Sequence, residues 1–227
     1  MRRILTFLLF ACVLVLIAVL ILAWGGYEAA RREPEFYRKA MQAQPAQQQQ
    51  MGDQMERAAL GLHNDVRRDG RWQATFTADQ VNGWLAADLP QKFPQALPPE
   101  MREPRVAFAP NEARVACRYD NGQVSTVVSF SLQANLTDQP NTIALRISKL
   151  RAGALPVPLR QFLDPIAAAA QKGQVPLRWS QSEGDPVALL TIPFASKQFG
   201  NLDVHLDAIE LKEGELHVAG TTTKPGR

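Results

Sequence analysis

The sequence contains few of the residues that form catalytic and metal sites. Its 227 residues include only two cysteines and three histidines. Cys12 lies in an apolar run and Cys117 stands alone far beyond it, so we expect no disulfide between them and a domain stabilised by packing. Cys117 has no histidine nearby in the sequence, which favours a buried structural thiol over a nucleophile.

Known catalytic and metal-binding motifs are also missing. His63, His205 and His217 are far apart, and none belongs to a His-x-x-x-His pair. No serine lies in a Gly-x-Ser-x-Gly elbow, and there is no glycine-rich phosphate loop. The sequence therefore predicts a protein that is not an enzyme, with no cofactor and no metal. An envelope hydrolase with a convergent site is the alternative.

The charge balance argues against a nucleic-acid partner. The chain has 25 Lys+Arg against 22 Asp+Glu, a net charge of +3. Proteins that follow a phosphate backbone present a continuous basic stripe, which this sequence lacks.

The one long hydrophobic run lies at the N-terminus. Residues 4–23 carry no charge and, at about 1.5 Å per residue, would span about 30 Å, the thickness of a bilayer core. Arg2 and Arg3 precede it, which favours an N-terminus inside and the bulk of the chain outside the cytoplasm. We predict a single-pass signal-anchor over residues 1–26, in the cytoplasmic (inner) membrane. A cleaved signal peptide and a lipoprotein signal at Cys12 are the alternatives. The predicted anchor residues are Ile4, Phe7, Phe10, Leu14, Ile17, Leu20, Ala23 and Trp24.

Residues 27–70 are rich in Gln and Ala and predict a helical stalk, which Pro45 breaks or kinks. Apolar residues recur there at spacings of three and four, giving one apolar stripe. Packing of this stripe against the following domain is favoured over a partner-binding helix. The stripe consists of Met51, Met55, Ala58, Leu62 and Val66.

Residues 71–223 predict an extracytoplasmic domain, followed by a disordered tail over 224–227. A short strand at residues 72–76 precedes Thr77 and Gln80, which have the spacing of a capping box. The helix that follows ends at Pro90. The hydrophobic period then changes to two, and Asn121-Gly122 indicates a hairpin between long strands.

Alternation along the long strand at residues 123–137 predicts one apolar and one polar face. Phe130 and Leu132 belong to the apolar face, whereas Ser129 and Ser131 belong to the polar face.

A last hairpin turns at Glu213-Gly214. The expected register places Leu211 opposite Leu216, Ile209 opposite Val218 and Glu210 opposite His217. The predicted fold class is α+β: an N-terminal transmembrane helix and helical stalk, then a long-stranded curved antiparallel sheet packed on two short helices.

The second of these helices is expected over residues 158–171, with Pro158 in its first turn. If the two helices do not fill the concave sheet, an apolar groove remains that suits an acyl chain. These residues are core by default, and ligand contact is the alternative. The candidate ligand-binding residues are Val81, Trp84, Leu85, Phe130, Leu155, Val157, Leu159, Phe162, Leu163 and Ile166.

The chain resembles a known family in three stretches, which are "FTADQVNGWLAADLP", "LRISKLRAGALPVPLRQFLDPIAAAAQKGQVPLRW" and "LDAIELKEGELHVAG". Over residues 72–221 the order of elements resembles the YpmS-like (DUF2140) membrane-anchored proteins of bacteria and, more loosely, tubular lipid-binding (TULIP-like) domains. The resemblance implies a curved sheet wrapped on a helix, a membrane anchor, lipid or hydrophobic-ligand binding and no catalytic residues.

The predicted function is that of a membrane-anchored extracytoplasmic domain that binds a lipid or another hydrophobic ligand in an apolar groove. The alternative is a non-enzymatic envelope scaffold or protein-interaction module with a filled core. The expected partners are a hydrophobic small molecule and the cytoplasmic membrane, with a protein partner also possible.

Overall fold

The structure is a computed structural model, and it describes residues 28–158, 177–182, 185–192 and 202–224. The expected second helix at residues 158–171 lies almost wholly outside these ranges. So do Leu159, Phe162, Leu163 and Ile166.

Besides the helical residues 28–31, four helices are seen in the described ranges, all in the first half of the chain. They are α1 (Glu35–Met41), α2 (Pro45–Val66), α3 (Ala78–Ala87) and α4 (Leu89–Lys92). Pro45 lies in the first turn of α2, where its missing N–H is not needed. The predicted capping box is confirmed: the Gln80 N–H donates to Thr77 Oγ1 (3.2 Å), and the Thr77 N–H donates to Gln80 Oε1 (2.9 Å).

The strands form two antiparallel sheets within the described ranges. The smaller has the order β1-β10-β9, and the larger has the order β2-β3-β4-β5-β8-β7, with β6 paired to β5. The strands are β1 (Gly70–Thr77), β2 (Met101–Ala109), β3 (Glu112–Asp120), β4 (Ser125–Leu136), β5 (Thr142–Ala152), β6 (Leu155–Pro156), β7 (Leu177–Ser182), β8 (Asp185–Thr191), β9 (Asp203–Lys212) and β10 (Glu215–Thr223).

The predicted register of the last hairpin is confirmed. Leu211 pairs with Leu216, Ile209 with Val218 and Glu210 with His217. The register shifts only beyond these pairs, between Ala219 and Gly220.

The two sheets are joined through Asn141, in the turn between β4 and β5. Its Nδ2 donates to the Val204 carbonyl (2.8 Å), and its Oδ1 accepts from the Leu206 N–H (2.8 Å). Val204 and Leu206 are buried with Val66, Trp72 and Ile143 in a core between the sheets and the end of α2. Packing across this core, as well as the hydrogen bonds of the Asn141 side chain, therefore holds the sheets together.

Two expectations about the sheet are wrong. The single curved sheet is instead two sheets, because β1, β10 and β9 pair only with one another in the described part of the chain. Ser129 and Ser131, predicted on the polar face of the long strand, are buried. The cause lies outside the strand: α1 packs over this face, with Tyr37 against Ala116 and Val127.

The membrane prediction is corrected as well. None of the helices in the described ranges is both long and apolar enough to cross a bilayer. The longest, α2, has 22 residues, but glutamines and charged side chains make it too polar. This finding contradicts the transmembrane helix of the predicted fold class. It also contradicts the predicted location as a single-pass signal-anchor protein of the inner membrane. The anchor residues from Ile4 to Trp24 lie outside the described ranges. What remains is a mostly β α+β fold.

Candidate functional site

A cavity lies between the helices and the start of the larger sheet. On one side it is bounded by the C-terminal end of α1, the first turn of α2, and α3 and α4. The proline-rich segment at residues 93–100 and the first residues of β2 complete its walls. We call it the proline-walled cavity. Its volume of about 740 Å³ falls in the range of about 300–1,000 Å³ that is typical of small-molecule sites. Its apolar lining includes Met41, Leu85, Leu89, Phe93, Leu97 and Met101.

The proline-rich segment forms the outer wall because it cannot join a helix or a sheet. Pro94, Pro98 and Pro99 have no N–H to donate, which keeps the chain irregular after α4. At the start of this wall, the Phe93 ring is 54% exposed and contacts the Trp84 ring of α3, with ring centroids 5.9 Å apart. The wall is therefore attached to α3 by an aromatic contact.

An ionic cluster fixes α4 against α2. Lys92 of α4 donates to the buried Asp88 carboxylate (2.8 Å) and also pairs with Glu56 of α2. Hydrogen bonds to Asp88 and Glu56 raise the pKa of Lys92. The Trp84 indole N–H donates to the same Glu56 carboxylate (3.3 Å). These contacts hold in place the helices that form one side of the cavity.

The β2 side of the cavity contains a buried charge. Arg105 lines the cavity but is only 5% exposed. Its Nη1 donates to the Pro104 carbonyl (2.7 Å), whereas its Nε has no hydrogen-bond partner in the described ranges. Burial lowers the pKa of Arg105, because a cation removed from water is less favourable.

A buried tyrosine packs against the β3 residue that pairs with Arg105, since Tyr37 contacts Ala116. Tyr37 of α1 is fully buried, and its hydroxyl also has no hydrogen-bond partner among the described residues. Burial raises the pKa of Tyr37 to about 12, so the hydroxyl stays neutral and can donate a hydrogen bond at physiological pH.

The nearby acidic residues are bound to a different arginine. Arg118 of β3 donates to Glu33 (2.8 Å) and to Glu103 (3.1 Å), and these bonds raise the pKa of Arg118. In the described part of the chain, no carboxylate lies within 4.0 Å of Arg105. The proline-walled cavity thus combines an apolar lining with one buried cation that lacks a close counter-ion.

Comparison with protein-family models, with curated proteins and with solved structures finds no match. The resemblance to YpmS-like and TULIP-like proteins therefore stays a prediction.

The predicted ligand residues are spread over several places. Leu85 lines the proline-walled cavity and Trp84 contacts its wall. Val81 packs in a different cluster with Phe108 and Leu211. Phe130 lines a more polar groove, Leu155 is 39% exposed in β6, and Val157 lies just after it. Of the six candidates that the structure describes, Trp84 and Leu85 are the two that come together at the cavity.

The sequence reasoning missed Phe93, Leu97, Met101 and Arg105. The first three are spaced by four residues through the proline-rich segment, so their spacing was a signal that could have been used. Arg105 gave no signal, because an arginine between Pro104 and Val106 in an alternating strand is typical of a surface residue.

The other polar clusters resemble structural ion pairs. Glu112 accepts hydrogen bonds from Lys149 (2.7 Å), Arg114 (2.9 Å) and Ser131 (2.9 Å), and the first two are the main reason its pKa falls to about 2. A carboxylate so strongly ionised is poorly suited to proton transfer near neutral pH.

A second cluster combines a hydroxyl, a carboxylate and an imidazole on the smaller sheet. The Thr221 hydroxyl donates to Asp207 (2.6 Å) and not to His205, so the imidazole does not activate it as a nucleophile. Over the described ranges, no group of three or more His, Cys, Asp or Glu could hold a metal ion.

Proposed function

We propose that this chain is a non-enzymatic binding protein that holds a lipid or another hydrophobic small molecule in the proline-walled cavity. The observation that carries the proposal is the cavity itself, with about 740 Å³ of space beside a largely apolar lining. Burial of apolar ligand surface contributes about 25 cal/mol per Å². A ligand that buries about 300 Å² would therefore gain about 7 kcal/mol before the cost of association.

The position of the cavity also supports binding. One wall is a short irregular segment with the exposed Phe93 at its start, whereas the opposite walls are helices fixed by the Lys92 ion pairs. A rigid scaffold with one less regular wall allows a ligand to enter without unfolding the domain.

A neutral fluorescent probe tests the proposal. We expect the purified full chain to bind N-phenyl-1-naphthylamine with a Kd in the micromolar range, measured by the rise in probe fluorescence. Leu85→Trp, which fills the cavity, and Leu97→Asp, which places a charge in its lining, should each weaken binding about tenfold or more.

Leu60→Asp is the matched control. Leu60 is 61% exposed on α2, outside the cavity lining, so this variant should bind the probe as the unmodified chain does. Equal binding by the Leu97→Asp variant and the unmodified chain would contradict the proposed site. Failure of the probe to bind at all would favour the alternative, a scaffold or protein-interaction module.

A further inference from the structure

We propose that the ligand of the proline-walled cavity is an amphiphile that ends in a carboxylate, and that Arg105 binds this head group. The inference rests on the proposed function and adds the chemical class of the ligand. It starts from two facts that are unusual together: Arg105 lines an apolar cavity, and it is 95% buried without an ion-pair partner in the described residues.

A buried cation without a counter-ion is costly, because the interior replaces its water poorly. Arg105 has one hydrogen bond from Nη1 to the Pro104 carbonyl, and its Nε–H has none. The charge of Glu103 acts on Arg105 from a distance, but Glu103 and Glu33 make their hydrogen bonds to Arg118 and none to Arg105. An anion brought by the ligand would complete the set of interactions that Arg105 lacks.

The charge balance favours a carboxylate over a phosphate monoester. One guanidinium neutralises one negative charge, and the planar guanidinium matches the planar carboxylate. Two arginines line the cavity, but only Arg105 is buried and Arg102 is exposed. A phosphate monoester carries a charge close to −2, so its second charge would have no buried cation and would lie near Glu103, which also lines the cavity.

The apolar part of such a ligand has a defined path. Met101 lies at the beginning of β2, the strand of Arg105, whereas Leu89 lies in α4 and Phe93 follows it, and all three line the cavity. A chain whose head group is held by Arg105 would extend along these side chains toward the exposed Phe93. The polar group is thus deep and the apolar tail points toward the outer wall.

Three ligands of equal chain length test the head group: dodecanoic acid, dodecanol and dodecyl phosphate. Each is titrated against the full chain loaded with N-phenyl-1-naphthylamine, and displacement gives its Kd. We expect the acid to bind about tenfold tighter than the alcohol, because the alcohol cannot form an ion pair with Arg105. We also expect the acid to bind tighter than the phosphate, because one guanidinium neutralises the single charge of the carboxylate but only part of the phosphate charge.

Arg105→Gln should remove this preference and leave the affinity for dodecanol unchanged within about twofold. Arg105→Lys, which keeps the charge, should keep part of the preference. Arg71→Gln is the control: Arg71 is an exposed arginine on β1, outside the cavity lining, and its loss should leave the preference intact. Thermal unfolding shows whether each variant is folded, and the comparison of acid with alcohol on the unmodified chain needs no variant.

The outcomes separate the two proposals. Equal affinity for acid and alcohol on the unmodified chain, or a preference that survives Arg105→Gln, would overturn the head-group assignment while the binding function stands. Tighter binding of the phosphate would overturn the carboxylate. If the probe itself does not bind, the binding function fails and the head-group assignment with it.

Discussion

Gly52 of α2 and Gly83 of α3 contact each other where the two helices cross. A Cβ added to Gly83 would lie 2.6 Å from the Gly52 nitrogen and 2.6 Å from the Gln48 carbonyl oxygen. A Cβ added to Gly52 would collide with the Asp88 carboxylate and lie 3.3 Å from the Trp84 nitrogen. The helices approach so closely only because both positions lack a side chain. This approach also sets the position of α3, which contributes Leu85 to the proline-walled cavity.

Gly83→Ala should therefore destabilise the protein, although alanine is the better helix former. We expect a loss of about 2 kcal/mol in the free energy of unfolding, measured by urea denaturation, because the new methyl group meets backbone atoms that cannot rotate away. Gly61→Ala on α2 is the matched control: no atom lies within 4 Å of its added Cβ, so it should stabilise by about 0.5–1 kcal/mol. The same sign for both variants would contradict the close crossing.

Asn82 of α3 pairs with the backbone of β2 through both atoms of its amide. Its Nδ2 donates to the Val106 carbonyl (2.9 Å), and its Oδ1 accepts from the Val106 N–H (2.8 Å). We predict that Asn82→Ala lowers the free energy of unfolding by about 1–3 kcal/mol, because two partly buried backbone groups lose their partner. Asn64→Ala, at an exposed position of α2, should change it by less than about 0.5 kcal/mol. Equal effects of the two variants in urea denaturation would show that the pairing contributes nothing.

Glu112 predicts an acid-dependent part of the stability. Its pKa is lowered from 4.5 to about 2 in the folded protein, chiefly by Lys149 and Arg114, so folding favours its charged form. The stabilisation from Glu112 is therefore fully present above about pH 5 and is lost as the pH falls toward 2. We expect Glu112→Gln to be less stable than the unmodified chain by about 1 kcal/mol at pH 7, since Lys149 and Arg114 are largely exposed.

Thermal unfolding between pH 7 and pH 2 measures this difference, which should shrink toward zero at the acidic end. In a Lys149→Met background the effect of Glu112→Gln at pH 7 should be smaller, because the largest cause of the pKa shift is gone. A difference that does not vary with pH would show that the ion pairs do not couple to folding.

The parts of the fold that the sequence predicted are local. Thr77 and Gln80 are three residues apart, and their capping box depends on nothing else in the chain. The register of β9 and β10 follows from the Glu213-Gly214 turn and from side chains that alternate on either side of it. In both cases the deciding contacts lie within about ten residues, where spacing alone determines which side chains meet.

The parts that could not be predicted depend on contacts between distant segments. Ser129 and Ser131 look like surface residues in their own strand, and they are buried because α1, some ninety residues earlier, packs over them. Arg105 is buried in the same region, since its β3 partner Ala116 packs against Tyr37 of that helix. The cavity is lined by residues of α1, α3 and β2, and the spacing of residues within one segment does not predict contacts between distant segments. Among the described candidates, the sequence therefore predicted the site at Trp84 and Leu85 alone.

The two asparagine pairings have a consequence for the behaviour of many copies in solution. In the described residues, β2 and β9 are edge strands of the larger and the smaller sheet. Asn82 is hydrogen-bonded to backbone groups of β2, and Asn141 to backbone groups of β9. A border strand with free N–H and C=O groups is a template on which another molecule can add a strand, and such addition leads to aggregation and fibres. Each side-chain amide imitates one peptide unit of that missing strand, so an incoming chain would have to displace it before it could pair.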